Sequence, residues 1–187
     1  MTSLPSQTFP NHSQTDADCD TIDLQDIVAC RQSTVTTHQI FPGITLIYYD
    51  VHSQSLNREN QSAVSDHVFE ISHCREGRLE YNIGPSFCYL APGDLAIAQT
   101  NRICSAAYFP LRHYHGITIR VDTDLAPKCL SCFLHDVTVQ PAWIAEKFCT
   151  GRAGFVARSN RSFEHIFSEL YSVPEKIKKG YFKIKIL

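Results

Sequence analysis

The chain has 187 residues, a length that suits one ordinary domain with a helical appendage. Its 17 Lys and Arg against 19 Asp and Glu give a formal net charge of -2, without the basic excess that marks a nucleic-acid-binding surface. No run of 18 apolar residues is present to span a membrane, and the N-terminus lacks the basic start and apolar core of a secretion signal, so the expected compartment is the cytoplasm.

Residues 1–20 are polar, with Pro5, Pro10 and repeated Ser, Thr and Gln, and are expected to form a flexible arm. A β-barrel is expected over residues 21–125. Residues 22–29 suit a short helix or strand, and 30–37 are rich in β-branched residues. Phe41-Pro42-Gly43 opens a strand over 44–52, followed by a polar loop or ragged edge over 53–66. The stretch 67–94 organises the rest of the chain. Phe69, Ile71, Leu79, Tyr81, Ile83, Phe87, Tyr89 and Leu90 favour strands, and Gly77, Gly84-Pro85 and Pro92-Gly93-Asp94 break them. Residues 95–99 form a further strand, and 101–108 another that ends before Pro110. From 113 to 122 the alternation is clean: His113, His115, Ile117, Ile119 and Val121 share one face, and Tyr114, Thr118, Arg120 and Asp122 the other. Many short strands with frequent turns indicate a barrel or sandwich.

The character changes at residue 126, and residues 126–187 read as a helical segment. Residues 130–134 and 143–149 look helical, with Pro141 suited to a first turn, and 155–157 form one extended piece. Ser159 or Asn160 can cap a helix whose apolar face is Phe163, Ile166, Phe167 and Leu170. Pro174 starts a second helix, in which Ile177, Tyr181, Ile184 and Leu187 recur as one stripe. The stripe either pairs with a second copy or packs on the protein's own barrel. No stop signal accompanies Leu187, which suggests that the parent protein continues beyond it.

Eight cysteines without a secretion signal are expected to remain thiols. Cys129-x-x-Cys132 with His135 lacks a fourth ligand and a second close pair for zinc, and Pro127 favours a loop there over a redox helix. No nucleotide-binding glycine pattern and no G-x-S-x-G elbow occur, so no catalytic residue is assigned and no cofactor is expected. His113-x-His115 sets two imidazoles on one face about 7 Å apart. They serve a metal if a neighbouring strand supplies a third ligand, and otherwise sit at the rim above a core of Ile117, Ile119 and Val121. Glu70 either faces inward with a partner or faces solvent. His73 and Arg75 share the Phe69 face, where they contact a polar ligand at the barrel mouth or simply form its rim. Tyr48, Tyr81 and Tyr89 offer surfaces for ligand stacking or for the core.

Glu70, six residues, Gly77, fifteen residues, and Gly93 within Pro92-Gly93-Asp94 resemble the cupin pattern at its shortest spacing. Ser65-Asp66-His67 stands where the first cupin motif carries His-x-His, and Gln99-Thr100-Asn101 with Cys104 stands where the second carries its His. Only Glu70, with His67, remains of the metal-binding set. Cupins without that set resemble the sensor domains of AraC/XylS-type transcription regulators. The chain is similar to that family at Phe41-Pro42-Gly43-Ile44, His73-Cys74-Arg75-Glu76-Gly77-Arg78, Pro92-Gly93-Asp94-Leu95 and Phe109-Pro110 with His113-Tyr114-His115-Gly116-Ile117. It is similar again at Phe167-Ser168-Glu169-Leu170-Tyr171, Pro174 and Gly180-Tyr181-Phe182-Lys183.

The resemblance implies a mostly β fold: a cupin-like double-stranded β-helix barrel, then C-terminal α-helices. It further implies a small-molecule effector held in the barrel, dimerisation through the tail helices, and DNA bound by a C-terminal domain of the parent protein rather than by this chain. The expected ligand-binding residues are Tyr48, Glu70, His73, Arg75, Tyr81, His113 and His115. The expected dimerisation residues are Ile177, Tyr181, Ile184 and Leu187. Two other readings stand beside this one: a metal-dependent cupin enzyme using His67, Glu70, His113 and His115, and a dimerisation module with a filled barrel.

Overall fold

Branched and aromatic residues alternating between glycine- and proline-containing turns build ten strands among the described residues, and all of their pairings are antiparallel. The structure, a computed structural model, describes residues 33–57, 65–103, 106–130, 139–151, 154–158 and 161–186. The expected arm, the Cys132 and His135 positions, the capping Ser159 or Asn160 and Leu187 lie outside the described residues. The strands are β1 (Thr34–Phe41), β2 (Ile44–Val51), β3 (Ser55–Asn57), β4 (Val68–Gly77), β5 (Leu79–Ile83), β6 (Ser86–Leu90), β7 (Leu95–Gln99), β8 (Ala106–Tyr108), β9 (Tyr114–Asp122) and β10 (Phe155–Ala157). A 3-10 turn, Thr100–Arg102, takes the first part of the strand expected over 101–108. The helices are α1 (Pro141–Cys149), α2 (Arg161–Tyr171) and α3 (Lys178–Ile186), with a 3-10 turn at Glu175–Ile177 before α3. The described chain is thus mostly β with its helices toward the C-terminal end, and its strands form two antiparallel sheets. No described helix is long and apolar enough to cross a membrane.

One sheet runs β1-β2-β9-β4-β7-β10 and the other β3-β8-β5-β6. Both sides of the six-stranded sheet are buried around β4 and β7, which is why β7 reads Leu-Ala-Ile-Ala with every one of these residues buried. On its inward side, Ile47, Tyr49, Val51, Cys74, Ala96, Ala98 and Tyr114 pack against Tyr81, Ile83, Leu90 and Ala107 of the smaller sheet. On its outward side, Ile44, Leu46, Phe69, Leu95, Ile97 and Ile117 meet Cys149 of α1, Phe167 and Leu170 of α2, and Phe182 of α3. Along β7, Ala96 and Ala98 face in and Leu95 and Ile97 face out. β10 follows α1 in the chain yet pairs with β7, so one strand from the expected helical segment completes the barrel's larger sheet.

Gly77 is fixed by a close approach. Its φ is +81°, and a Cβ there would lie 1.9 Å from the His113 carbonyl oxygen. Gly93 (φ +84°) likewise allows the turn in which its N–H donates to the Cys74 carbonyl at 2.8 Å. The two glycines of the resemblance therefore hold opposite sides of β4 in place.

Candidate functional site

β4 is the strand on which the candidate residues meet, because both of its faces are buried. Glu70 and Ser72 face inward, on the side of Cys74, whereas Phe69, Ile71 and His73 face the helices. Sequence alternation separates these two sets but does not say which is inside. The register does: Glu70 lies opposite Arg120 on β9 and Ala98 on β7, and Ser72 lies opposite Thr118.

Between the sheets the inward face forms a short polar ladder in apolar surroundings. Glu70 is 1% exposed and accepts hydrogen bonds at Oε1 from Arg120 Nε (3.0 Å) and Nη2 (2.8 Å). The Ser72 and Thr118 hydroxyls are 3.0 Å apart. A buried carboxylate needs such a partner, and a two-point guanidinium contact is among the strongest available. Tyr81 is buried on the facing sheet. Of the expected ligand-binding residues, Glu70 and Tyr81 are therefore the two directed between the sheets. Arg120, Ser72 and Thr118 complete that wall. The sequence placed Thr118 and Arg120 on a shared face, and their pairing across to β4 is what the linear pattern lacked.

The metal positions that the cupin resemblance implies do not fit a metal. The Glu70 carboxylate is already held by the Arg120 guanidinium, and its inward neighbours are Ser72, Ala98 and Thr118, which are poor ligands for a transition ion. His67 lies just before β4, 60% exposed and 3.6 Å from Asp124. His115 is five residues from Arg120 along β9, about 17 Å, and on the opposite face. The set His67, Glu70, His113 and His115 thus does not come together.

Tyr48, His73 and Arg75 sit on the helical side. The His73 ring stacks on Phe167 of α2, with centroids 4.2 Å apart and planes within 4°. Its Nδ1 is 3.2 Å from the Tyr171 hydroxyl, which also donates to the His73 carbonyl at 3.3 Å. Burial lowers its pKa from an ordinary 6.5 to about 4, against the smaller raising effect of Glu164 and Asp94. Burial also pushes the Tyr171 phenol up. Arg75 lies over the Tyr171 ring, 5.0 Å from its centroid. Tyr48 donates to the Leu170 carbonyl at 2.7 Å, satisfying the end of α2, and its ring neighbours Phe182 and His38. These three residues fasten the helices to the barrel.

His113 and His115 occupy the rim of this outward side, beside a residue that sequence reasoning missed. His52, just past β2, stands 5.4 Å from His113 and 5.8 Å from His115 by ring centroids. Asp50, paired in register with His115, places Oδ1 2.8 Å from His52 Nε2 and 2.6 Å from His115 Nε2. Glu76 Oε2 lies 3.5 Å from His113 Nε2. Strict alternation would turn Glu76 inward, but a bulge between Cys74 and Glu76 inserts Arg75 and brings Glu76 opposite His115. The available signal was the spacing Asp50-x-His52, which mirrors His113-x-His115 on the adjacent strand.

On the tail, Phe182 rather than the expected stripe makes the main contact with the barrel, and it is 1% exposed. Tyr181 is partly buried and donates to Glu169 at 3.0 Å. Ile177 and Ile184 are 53% and 73% exposed.

No family model matches the sequence, and no curated protein matches it. Among solved structures, the chain is similar to an uncharacterized conserved protein with a double-stranded β-helix domain from Klebsiella pneumoniae subsp. pneumoniae MGH 78578. The identity is 16%, over 61% of this chain and 90% of that chain, with a TM-score of 0.40. It is similar to unsaturated fatty acid bound wild-type ToxT from Vibrio cholerae strain SCE256 at 10% identity, over 80% of this chain and 53% of that chain, with a TM-score of 0.46. The AraC-like transcriptional activator CuxR matches at 11% identity over 54% of this chain and 38% of that chain, with a TM-score of 0.39. The chain thus spans about half, or less, of the last two proteins.

Proposed function

We propose that this chain is the effector-sensing and dimerising part of a transcription regulator of the AraC type. It is not an enzyme on this reading. A small molecule binds between the two sheets, and DNA is bound by another domain of the parent protein. The observation that carries the proposal is the double-faced burial of β4. Its inward face presents Glu70 and Ser72, joined to Arg120 and Thr118, among apolar neighbours. Its outward face holds α2 through His73. A ligand that reorders the inward polar pairs acts on the same backbone that seats the helices. It shifts the helices only by as much as its affinity differs between their two arrangements. The motif resemblance at residues 41–44, 73–78, 92–95 and 167–183 supports the assignment to that family of regulators. Exposed Ile177 and Ile184 support pairing of the tail with a second copy.

The test is a thermal-shift screen of small polar and acidic metabolites against the purified chain. A compound present at 100 times its dissociation constant stabilises the folded state by about 2.7 kcal/mol. At least one should raise the melting temperature, and Thr118→Val should reduce that shift while leaving the unliganded fold intact. A panel without any stabilising compound, or stabilisation indifferent to Thr118→Val, contradicts the proposal.

A further inference from the structure

We propose that His52, His113 and His115 form a binding site for a divalent transition ion of the zinc class, on the outward rim of the six-stranded sheet. One ligand nitrogen from each ring lies within 4.8 Å of the other two, and this is the one such His, Cys, Asp or Glu cluster among the described residues. Tetrahedral coordination at about 2.0–2.1 Å needs nitrogens about 3.4 Å apart, which modest side-chain rotations supply.

The backbone presets the arrangement. His113 and His115 are two positions apart at the start of β9, and the pairs Asp50–His115 and Val51–Tyr114 fix the end of β2 beside them. Ligands held on paired strands keep their spacing better than ligands on loops. Each ring also has a carboxylate close by: Asp50 for His52 and His115, and Glu76 for His113. Carboxylates beside imidazole ligands are the usual outer partners of a zinc site, and Asp50 can also serve as a fourth ligand.

A second observation points the same way. Asp50 Oδ1 and His115 Nε2 are both buried atoms, and neither makes a hydrogen bond of acceptable geometry despite their 2.6 Å approach. A carboxylate oxygen crowded by two imidazole nitrogens in poor hydrogen-bond geometry offers donor atoms that a common cation can satisfy together. Three imidazoles select against calcium and magnesium, which take oxygen ligands, and favour zinc and its first-row neighbours.

The site is not the ligand set named above for a metal-dependent cupin, because Glu70 and His67 take no part in it. It shares His113 and His115 with the set His67, Glu70, His113 and His115, but Glu70 of that set lies between the sheets, whereas His52 joins the two histidines on the other side and at the far end of β4. Binding here neither requires nor excludes an effector in the barrel. It ties the end of β2 to the start of β9, next to the Arg75 bulge that contacts Tyr171 of α2.

The experiment is titration of the full chain, stripped with a chelator and kept reduced, with zinc chloride by calorimetry and with cobalt chloride by absorption. Eight cysteines can compete for either ion, so Cys129→Ser/Cys132→Ser accompanies the wild type. The expected result is a single tight equivalent that survives in the cysteine variant, with a cobalt spectrum free of thiolate charge-transfer absorption. His113→Gln and His115→Gln should each weaken binding by more than about tenfold, and Asp50→Asn by about 10–100-fold. His113 is a partly exposed rim residue, so its variant keeps the fold, and an unchanged circular dichroism melt verifies this. Three imidazole resonances should shift together when zinc is added. Absence of a tight equivalent, binding unchanged in both histidine variants, or a thiolate-type cobalt spectrum overturns the proposal.

Discussion

Acidification should loosen the protein through His73, and the size of the effect follows from its surroundings. His73 is 4% exposed, stacked on Phe167, and holds a pKa near 4 because burial disfavours its charged form. In the unfolded chain the same ring titrates near its ordinary 6.5. Between these two values the unfolded chain binds a proton that the folded chain refuses, so stability rises with pH across the window. The contribution is complete above about pH 6.5 and is lost as pH falls toward 4, where the folded protein also takes up the proton. At 1.36 kcal/mol per pH unit, the difference between 6.5 and about 4 corresponds to about 3 kcal/mol. Other groups titrate in the same range, so the assay is a comparison. Urea unfolding of wild type and His73→Phe at pH 7.5, 6.5, 5.5 and 4.5 isolates the contribution of this ring. The wild type should lose about 2–3 kcal/mol more than the variant between the extremes, since pH 4.5 stops short of the folded pKa, and α2 should be the first segment to gain hydrogen exchange. Equal pH dependence in both proteins refutes the reasoning.

Arg120→Met removes two hydrogen bonds from a carboxylate that is 1% exposed, and should cost about 3 kcal/mol in urea unfolding. Adding Glu70→Gln should recover much of that loss, and a double variant as weak as the single would contradict the pairing. Cys74 is fully buried, and burial raises its thiol to about 12, so iodoacetamide at pH 8 should leave it unmodified in the folded protein. Peptide mass spectrometry showing native labelling of Cys74 would contradict the inward placement of that side chain. Ile184→Asp places a charge on a side chain that is 73% exposed, so it should leave the circular dichroism spectrum of the folded chain unchanged. In sedimentation velocity it should shift dimer toward monomer if the tail is the pairing surface, and an unchanged distribution counts against that surface.

The sequence pattern was most informative where one strand had a distinctive neighbour on each side. The strand over 95–99 and the clean alternation over 113–122 match β7 and β9 closely, and Pro141 opens α1 as its fixed φ favours. β4 was legible as a strand but not in its orientation. With helices on one side and a second sheet on the other, both of its faces are buried, and period-two patterning then carries no direction. That is why Glu70 and His73 could not be assigned to a side before the register was known. The placement of Glu76 depended on a bulge that no local residue type announces. β3 is three residues long within a polar stretch, and β10 pairs with a strand some sixty residues earlier, so neither partnership leaves a local mark. His52 escaped attention because it follows the apolar run of β2, and its significance lies in residues on an adjacent strand. The stripe of α3 is split by Phe182, which the spacing of Ile177, Tyr181 and Ile184 passes over.

The central claim is that β4 transmits events between the sheets to the helices behind it. Hydrogen-exchange mass spectrometry of the chain with and without a stabilising compound from the thermal-shift screen tests it directly. Added protection in β4 and β9, accompanied by a change in α2 around Phe167 to Tyr171, is the predicted result. Protection confined to the barrel strands with α2 unchanged, or confined to segments away from Glu70, Ser72, Thr118 and Arg120, would contradict it.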